Sequence, residues 1–128
     1  MFGRVAAGFC GALACALMAG ASAQAAAPPA HFDFRGLEFR YGDDEALAAG
    51  RAELAKQYPV GASASEATRA LTAAGAVCRP AAGRTRCVYT SFQTHEDHMV
   101  EVNWTVDIAA DAAGALRTLA VDRSLSGV

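Results

Sequence analysis

Residues 99–108 read MVEVNWTVDI, and their alternation decides the fold class. Val100, Val102, Trp104, Val106 and Ile108 fall on one side of an extended chain, while Glu101, Asn103, Thr105 and Asp107 fall on the other. A period of two with one apolar and one polar face marks a sheet strand packed on a core on one side and wetted on the other. Trp104 has apolar neighbours at two-residue spacing, so its ring is expected in the core rather than on a ligand platform.

The pattern continues outward from this strand. Residues 84–94, RTRCVYTSFQT, predict a strand before it, and residues 115–125, ALRTLAVDRSL, a last strand after the turn AADAAG. Arg79-Pro80-Ala81-Ala82-Gly83 is turn chemistry. Connections this short imply an antiparallel meander.

Two helices are expected upstream. In residues 60–75, VGASASEATRALTAAG, Ser63 and Glu66 have capping-box spacing, Gly75 can close the last turn in a left-handed conformation, and Ala67, Ala70, Leu71 and Ala74 share a face of small side chains. Residues 43–58, DDEALAAGRAELAKQY, open on carboxylates that suit a helix N-terminus, and Pro59 stops them. Leu47, Leu54 and Tyr58 form the expected apolar stripe of that helix, and Gly50 weakens its middle by up to about 1 kcal/mol relative to Ala. The fold class is therefore α+β, two helices packed on an antiparallel meander of three to four strands.

The N-terminal end carries a different signal. Arg4, an apolar run over residues 5–19 and the small-x-small sites Ala21-Ser22-Ala23 and Ala23-Gln24-Ala25 read as an export signal over residues 1–25. The run is short for a membrane anchor, which needs about 20 apolar residues, so no stable span is expected after cleavage. Residues 26–42 are read as an extended leader. Within them Pro28-Pro29 favours polyproline conformation, and Phe32 and Phe34, then Leu37, Phe39 and Tyr41, alternate with a one-residue slip at Gly36. These aromatics are expected on the core, the alternative being an apolar patch that a partner covers. Residues 43–128 complete a single α+β domain.

Export fixes the reading of the cysteines. Cys10 and Cys15 fall inside the signal, which leaves Cys78 and Cys87 as one expected disulfide of a periplasmic or secreted protein. A loop this short is worth roughly 2 to 3 kcal/mol in the chain-entropy account. Ala12-Leu13-Ala14-Cys15 loosely follows a lipobox, so the alternative is an envelope component anchored by lipid on Cys15.

Little in the chain suggests chemistry. The formal net charge is −2, with no basic cluster that would mark a nucleic-acid partner. No G-x-S-x-G, phosphate loop or paired carboxylates on a rigid element can be picked out, and no catalytic residue, cofactor or metal site is assigned. His95-Glu96-Asp97-His98 joins two expected strands and is read as a solvated hairpin tip. Its alternative is a metal-binding or hydrolytic site using His95 and His98.

Gly61, Ser63, Ala67 and Leu71, with helices preceding a meander, resemble the small periplasmic domains of the SmpA/OmlA (BamE-type) lipoproteins and the β-lactamase inhibitory proteins. Those families often carry Pro after the helix, where this chain has Ala76-Val77-Cys78. The resemblance implies a non-catalytic envelope protein that binds another protein, and the expected function is that of such a module, its partner an unknown envelope protein. Intact mass of the exported protein is expected to show a start between Gln24 and Ala27, with two thiols blocked to alkylation until reduction. A mass beginning at an acylated Cys15 would replace the soluble reading with the lipoprotein one.

Overall fold

The structure, a computed structural model, describes residues 31–127. The export signal, Cys10, Cys15 and the start of the leader lie outside the described residues. In chain order the elements are α1 (Phe34–Arg40), α2 (Asp43–Gln57), α3 (Ala64–Ala73), β1 (Val77–Ala81), β2 (Arg84–His95), β3 (His98–Ala110) and β4 (Leu116–Gly127). The strands form one antiparallel sheet in the order β1-β2-β3-β4. The fold is α+β, and among the described residues the expected two helices are corrected to three.

The additional helix overturns the extended reading of the leader. Residues 34–40 are helical, capped by Asp33, whose carboxylate accepts from Arg35 N at 3.0 Å. The same aromatics satisfy both periods: Phe34 and Leu37, three apart, are fully buried on a helical face, although Phe32 and Phe34 are also two apart. An alternating pattern this short does not separate a strand from about two turns of amphipathic helix.

Both expected helices form. Ser63 Oγ accepts from Glu66 N at 3.2 Å, Ala67 and Leu71 are fully buried, and Gly75 follows the helix at φ 102°. In α2 the buried residues are Ala46, Gly50 and Leu54, whereas Leu47 and Tyr58 are only partly buried. The stripe is rotated from the expected one because small residues are needed where α2 meets Trp104.

Trp104 explains Gly50 as well. A Cβ built on Gly50 would lie 2.6 Å from Trp104 Cζ3 and 2.9 Å from Cη2. Glycine at this position is therefore required by close approach rather than tolerated as a weak helix former. On β3, Val102, Trp104, Val106 and Ile108 are buried as the alternation predicts, in one cluster with Phe34, Leu37, Leu54, Ala67 and Leu71 from the helices.

The hairpins differ from expectation in one place. Residues 77–81 pair with β2 as strand β1, so the turn foreseen over 79–83 shrinks to Ala82 and Gly83, both at positive φ. Pro80 is compatible with pairing because β1 is an edge strand. Cys78 and Cys87 face each other directly across β1 and β2 at disulfide distance. The bridge therefore joins two neighbouring strands.

Gly50→Ala is expected to lower unfolding stability by about 1 to 3 kcal/mol, the cost of overpacking a filled core. Helix propensity alone would raise it by about 1 kcal/mol. Urea unfolding of the variant decides between the two signs.

Candidate functional site

The best-defined polar constellation ties α1 to the sheet. Glu38 follows Leu37 on the buried side of α1, and its side chain is 9% exposed. Its Oε1 accepts from Trp104 Nε1 and from Arg123 Nε at 2.7 Å, and its Oε2 accepts from Arg123 Nη2 and from Gln93 Nε2, each at 2.8 Å. Arg123, 4% exposed, also donates to Asp43 Oδ1 at 3.0 Å, and its guanidinium carbon lies 5.9 Å from the Trp104 ring centre. One carboxylate thus collects donors from β2, β3 and β4.

This arrangement sets the ionisation of the pair. Burial alone pushes the Glu38 carboxyl up, but hydrogen bonds from Arg123, Trp104 and Gln93, together with the Arg123 charge, outweigh it and hold the group below its ordinary value. The hydrogen bond to Glu38 in turn raises Arg123, against the effect of its burial. A carboxylate whose accepting sites are filled by protein donors is poorly placed to act as a base. It is a fastener.

Beside this fastener lies an aromatic groove. Phe34 stacks on Tyr89 with ring centres 4.6 Å apart and 8° between planes, and Phe32 meets Phe34 edge-on at 4.7 Å. With Phe34, Leu37 and Glu38 turned inward, Arg35 and Phe39 are left on the flank of α1 that borders β2. Arg35, Glu38, Phe39, Tyr89, Ser91, Phe92 and Gln93 line the groove between them. Phe39 is 92% exposed and Phe92 is 60% exposed. The expectation that the leader aromatics pack on the core holds for Phe32 and Phe34 and is corrected for Phe39 and Tyr41, which are exposed.

Among the described residues, the floor of the groove is a stretch of sheet edge that no strand pairs. β1 pairs with β2 only from Arg84 to Val88, whereas β3 pairs with β2 as far as His95. Two-residue turns close both hairpins, at Ala82-Gly83 and at Glu96-Asp97, all four residues having positive φ. In such hairpins the flanking residues exchange both backbone hydrogen bonds, so Ala81 with Arg84 and His95 with His98 set the alternation. Odd-numbered β2 residues from 85 to 95 then bond to β3, and even-numbered ones turn toward β1. Thr90, Phe92 and Thr94 turn their backbone groups the same way, past the end of β1.

His95 and His98 pair across the turn and are exposed. Among the described residues, no group of three or more His, Cys, Asp or Glu side chains is placed to hold a metal ion. Ser63 serves as a helix cap. Glu38, Gln93 and Arg123 went unforeseen because their contacts span 55 to 85 positions. Comparison with protein-family models, curated proteins and solved structures finds no match to this chain.

The acid limb of stability follows from the fastener. With its folded value depressed, Glu38 contributes stability that is fully present above the unfolded carboxyl value of about 4.3 and is lost as pH falls through the folded value. Glu38→Gln is expected to cost about 3 kcal/mol at neutral pH, because it leaves Arg123 buried with Asp43 as its remaining carboxylate partner. The cost should shrink on acidification below about pH 4.3, as the wild type loses the same charge. Urea midpoints of both proteins across that range test the sign.

Proposed function

We propose that this protein is a small exported module of the cell envelope, without chemistry of its own, that acts by binding a polypeptide along the α1–β2 groove. The observation that carries this reading is the groove itself. Phe39 and Phe92 are exposed beside a stretch of sheet edge that, among the described residues, no strand pairs. Adding a strand to such an edge supplies main-chain hydrogen bonds, and the flanking side chains supply selectivity.

Export is supported by the N-terminal pattern in the sequence and by a cysteine pair at disulfide distance. Among the described residues no helix is long and apolar enough to cross a membrane. The resemblance at Gly61, Ser63, Ala67 and Leu71 to SmpA/OmlA-type and β-lactamase-inhibitory domains adds a non-catalytic, protein-binding role in the envelope.

A photoreactive amino acid placed at position 39 and activated in intact cells is expected to give a discrete protein adduct. The same group at Arg69, an exposed position on α3, is expected to give none. Absence of an adduct from position 39, or equal labelling from both positions, would overturn the groove as a binding surface.

A further inference from the structure

We infer that the occupant of the groove is a second copy of this chain, bound edge to edge through residues 90–94 of β2 so that two sheets become one. The inference rests on the groove being a protein-binding surface and goes further by naming what fills it.

Among the described residues, the β1 edge and the first half of β4 are guarded, and the overhang of β2 is not. On β1, Arg79 and Pro80 discourage strand addition. On β4, Arg51 Nε donates to Val121 O at 3.0 Å, and Gly61 N and Ala62 O take up the backbone groups of Leu116. Residues 89–94, YTSFQT, contain no charge, proline or glycine. An uncharged overhang of this kind readily pairs with another strand.

The overhang is also self-complementary. Thr90, Phe92 and Thr94 are symmetric about Phe92, so an antiparallel pair with its two-fold axis there sets Phe92 opposite Phe92 and each Thr90 opposite a Thr94. Their outward backbone groups match in parity, giving about six main-chain hydrogen bonds. Aromatic pairs and threonine pairs are both favourable across antiparallel strands.

Two further observations fit the same register. Ser91 Oγ is buried and has no hydrogen-bond partner. The register puts it opposite Gln93 of the second copy, whose Nε2 is already given to Glu38 and whose Oε1 can accept the hydroxyl proton. Charge also matches: Arg35 borders Tyr89 in the groove. Tyr89 falls opposite His95 of the second copy, next to the acidic Glu96-Asp97 tip.

The helices do not obstruct the pairing. Phe34 lies against both Tyr89 and Trp104, which sets α1 over β2 and β3 rather than over the edge. Two such helices flanking the axis can approach to about 8–10 Å, an ordinary packing distance, with the Phe39 rings between them. The exposed parts of Phe39 and Phe92 from both copies amount to roughly half of the 1,200 Å² of a stable interface. The edge backbone and Arg35 add to this, so a reversible dimer rather than a permanent one is expected.

Sedimentation equilibrium of the purified protein over a concentration series tests this directly. The expected result is a monomer–dimer equilibrium that Phe92→Lys and Phe39→Ser each weaken at least tenfold and that Val60→Lys leaves unchanged, with all variants matching the wild type in circular dichroism. Phe39 is so exposed that its replacement leaves the core intact, which keeps the test informative if Phe92→Lys disturbs the strand. A wild type that stays monomeric up to millimolar concentration, or edge variants that dimerise as tightly as the wild type, would overturn self-pairing. A discrete adduct between position 39 and a different protein would still leave the groove as a binding surface.

Discussion

Everything around helix α1 depends on one buried carboxylate. Glu38 is reached from a helix of seven residues, too short to be stable alone, and its two oxygens receive donors from three successive strands. The cost of burying the charge is offset because Arg123 and two neutral donors satisfy it together. Without that convergence α1 would have Phe34 and Leu37 as its main anchors, and the groove would lose its wall. The fastener is thus an interior feature whose consequence lies on the surface: with Glu38 committed inward, Phe39 is left outward.

Trp104 imposes the second constraint, one of size. Its indole N–H is fixed by Glu38 and its ring presses on Gly50, so α2 must offer a residue without a Cβ at that turn. The alanine-rich faces of α2 and α3 follow the same logic. Small side chains let the helices approach closely, and the volume of the core is supplied by Trp104, Phe34 and the leucines. A core assembled from one large ring and many small residues is sensitive to added volume at a few places and insensitive elsewhere.

What could be read from the sequence follows from the range of the interactions involved. The alternation of β3 and the cap of α3 depend on neighbours within a few residues, and both appear as the residues imply. The start of the domain is ambiguous in sequence because Phe32, Phe34, Leu37, Phe39 and Tyr41 satisfy a period of two about as well as a helical period. The choice is made by Trp104 and Tyr89, far along the chain. The same holds for Gly50, whose reason lies on β3, and for Glu38, whose partner Arg123 is 85 residues away. The groove was hidden for a different reason: it arises from unequal strand lengths, five residues in β1 against twelve in β2, and length mismatch cannot be read from residue type.

That mismatch bears on function more than any side chain at the hairpin tip. A strand paired on one side only exposes backbone groups that water satisfies less well than a partner strand, and proteins ordinarily blunt such edges with charge, proline or a covering segment. Among the described residues the blunting devices occur on β1 and along the first half of β4, where Arg79, Pro80 and Arg51 stand. The overhang of β2 carries threonine, serine, glutamine and two aromatic residues instead. The contrast argues that the exposed edge is not a by-product of a short β1. A disulfide holds β1 to β2 near the end of that pairing remote from the turn, and the buried carboxylate holds α1 alongside the overhang. Both restraints leave residues 89–94 extended and, among the described residues, without a partner strand on that side, the state from which strand addition costs least conformational entropy.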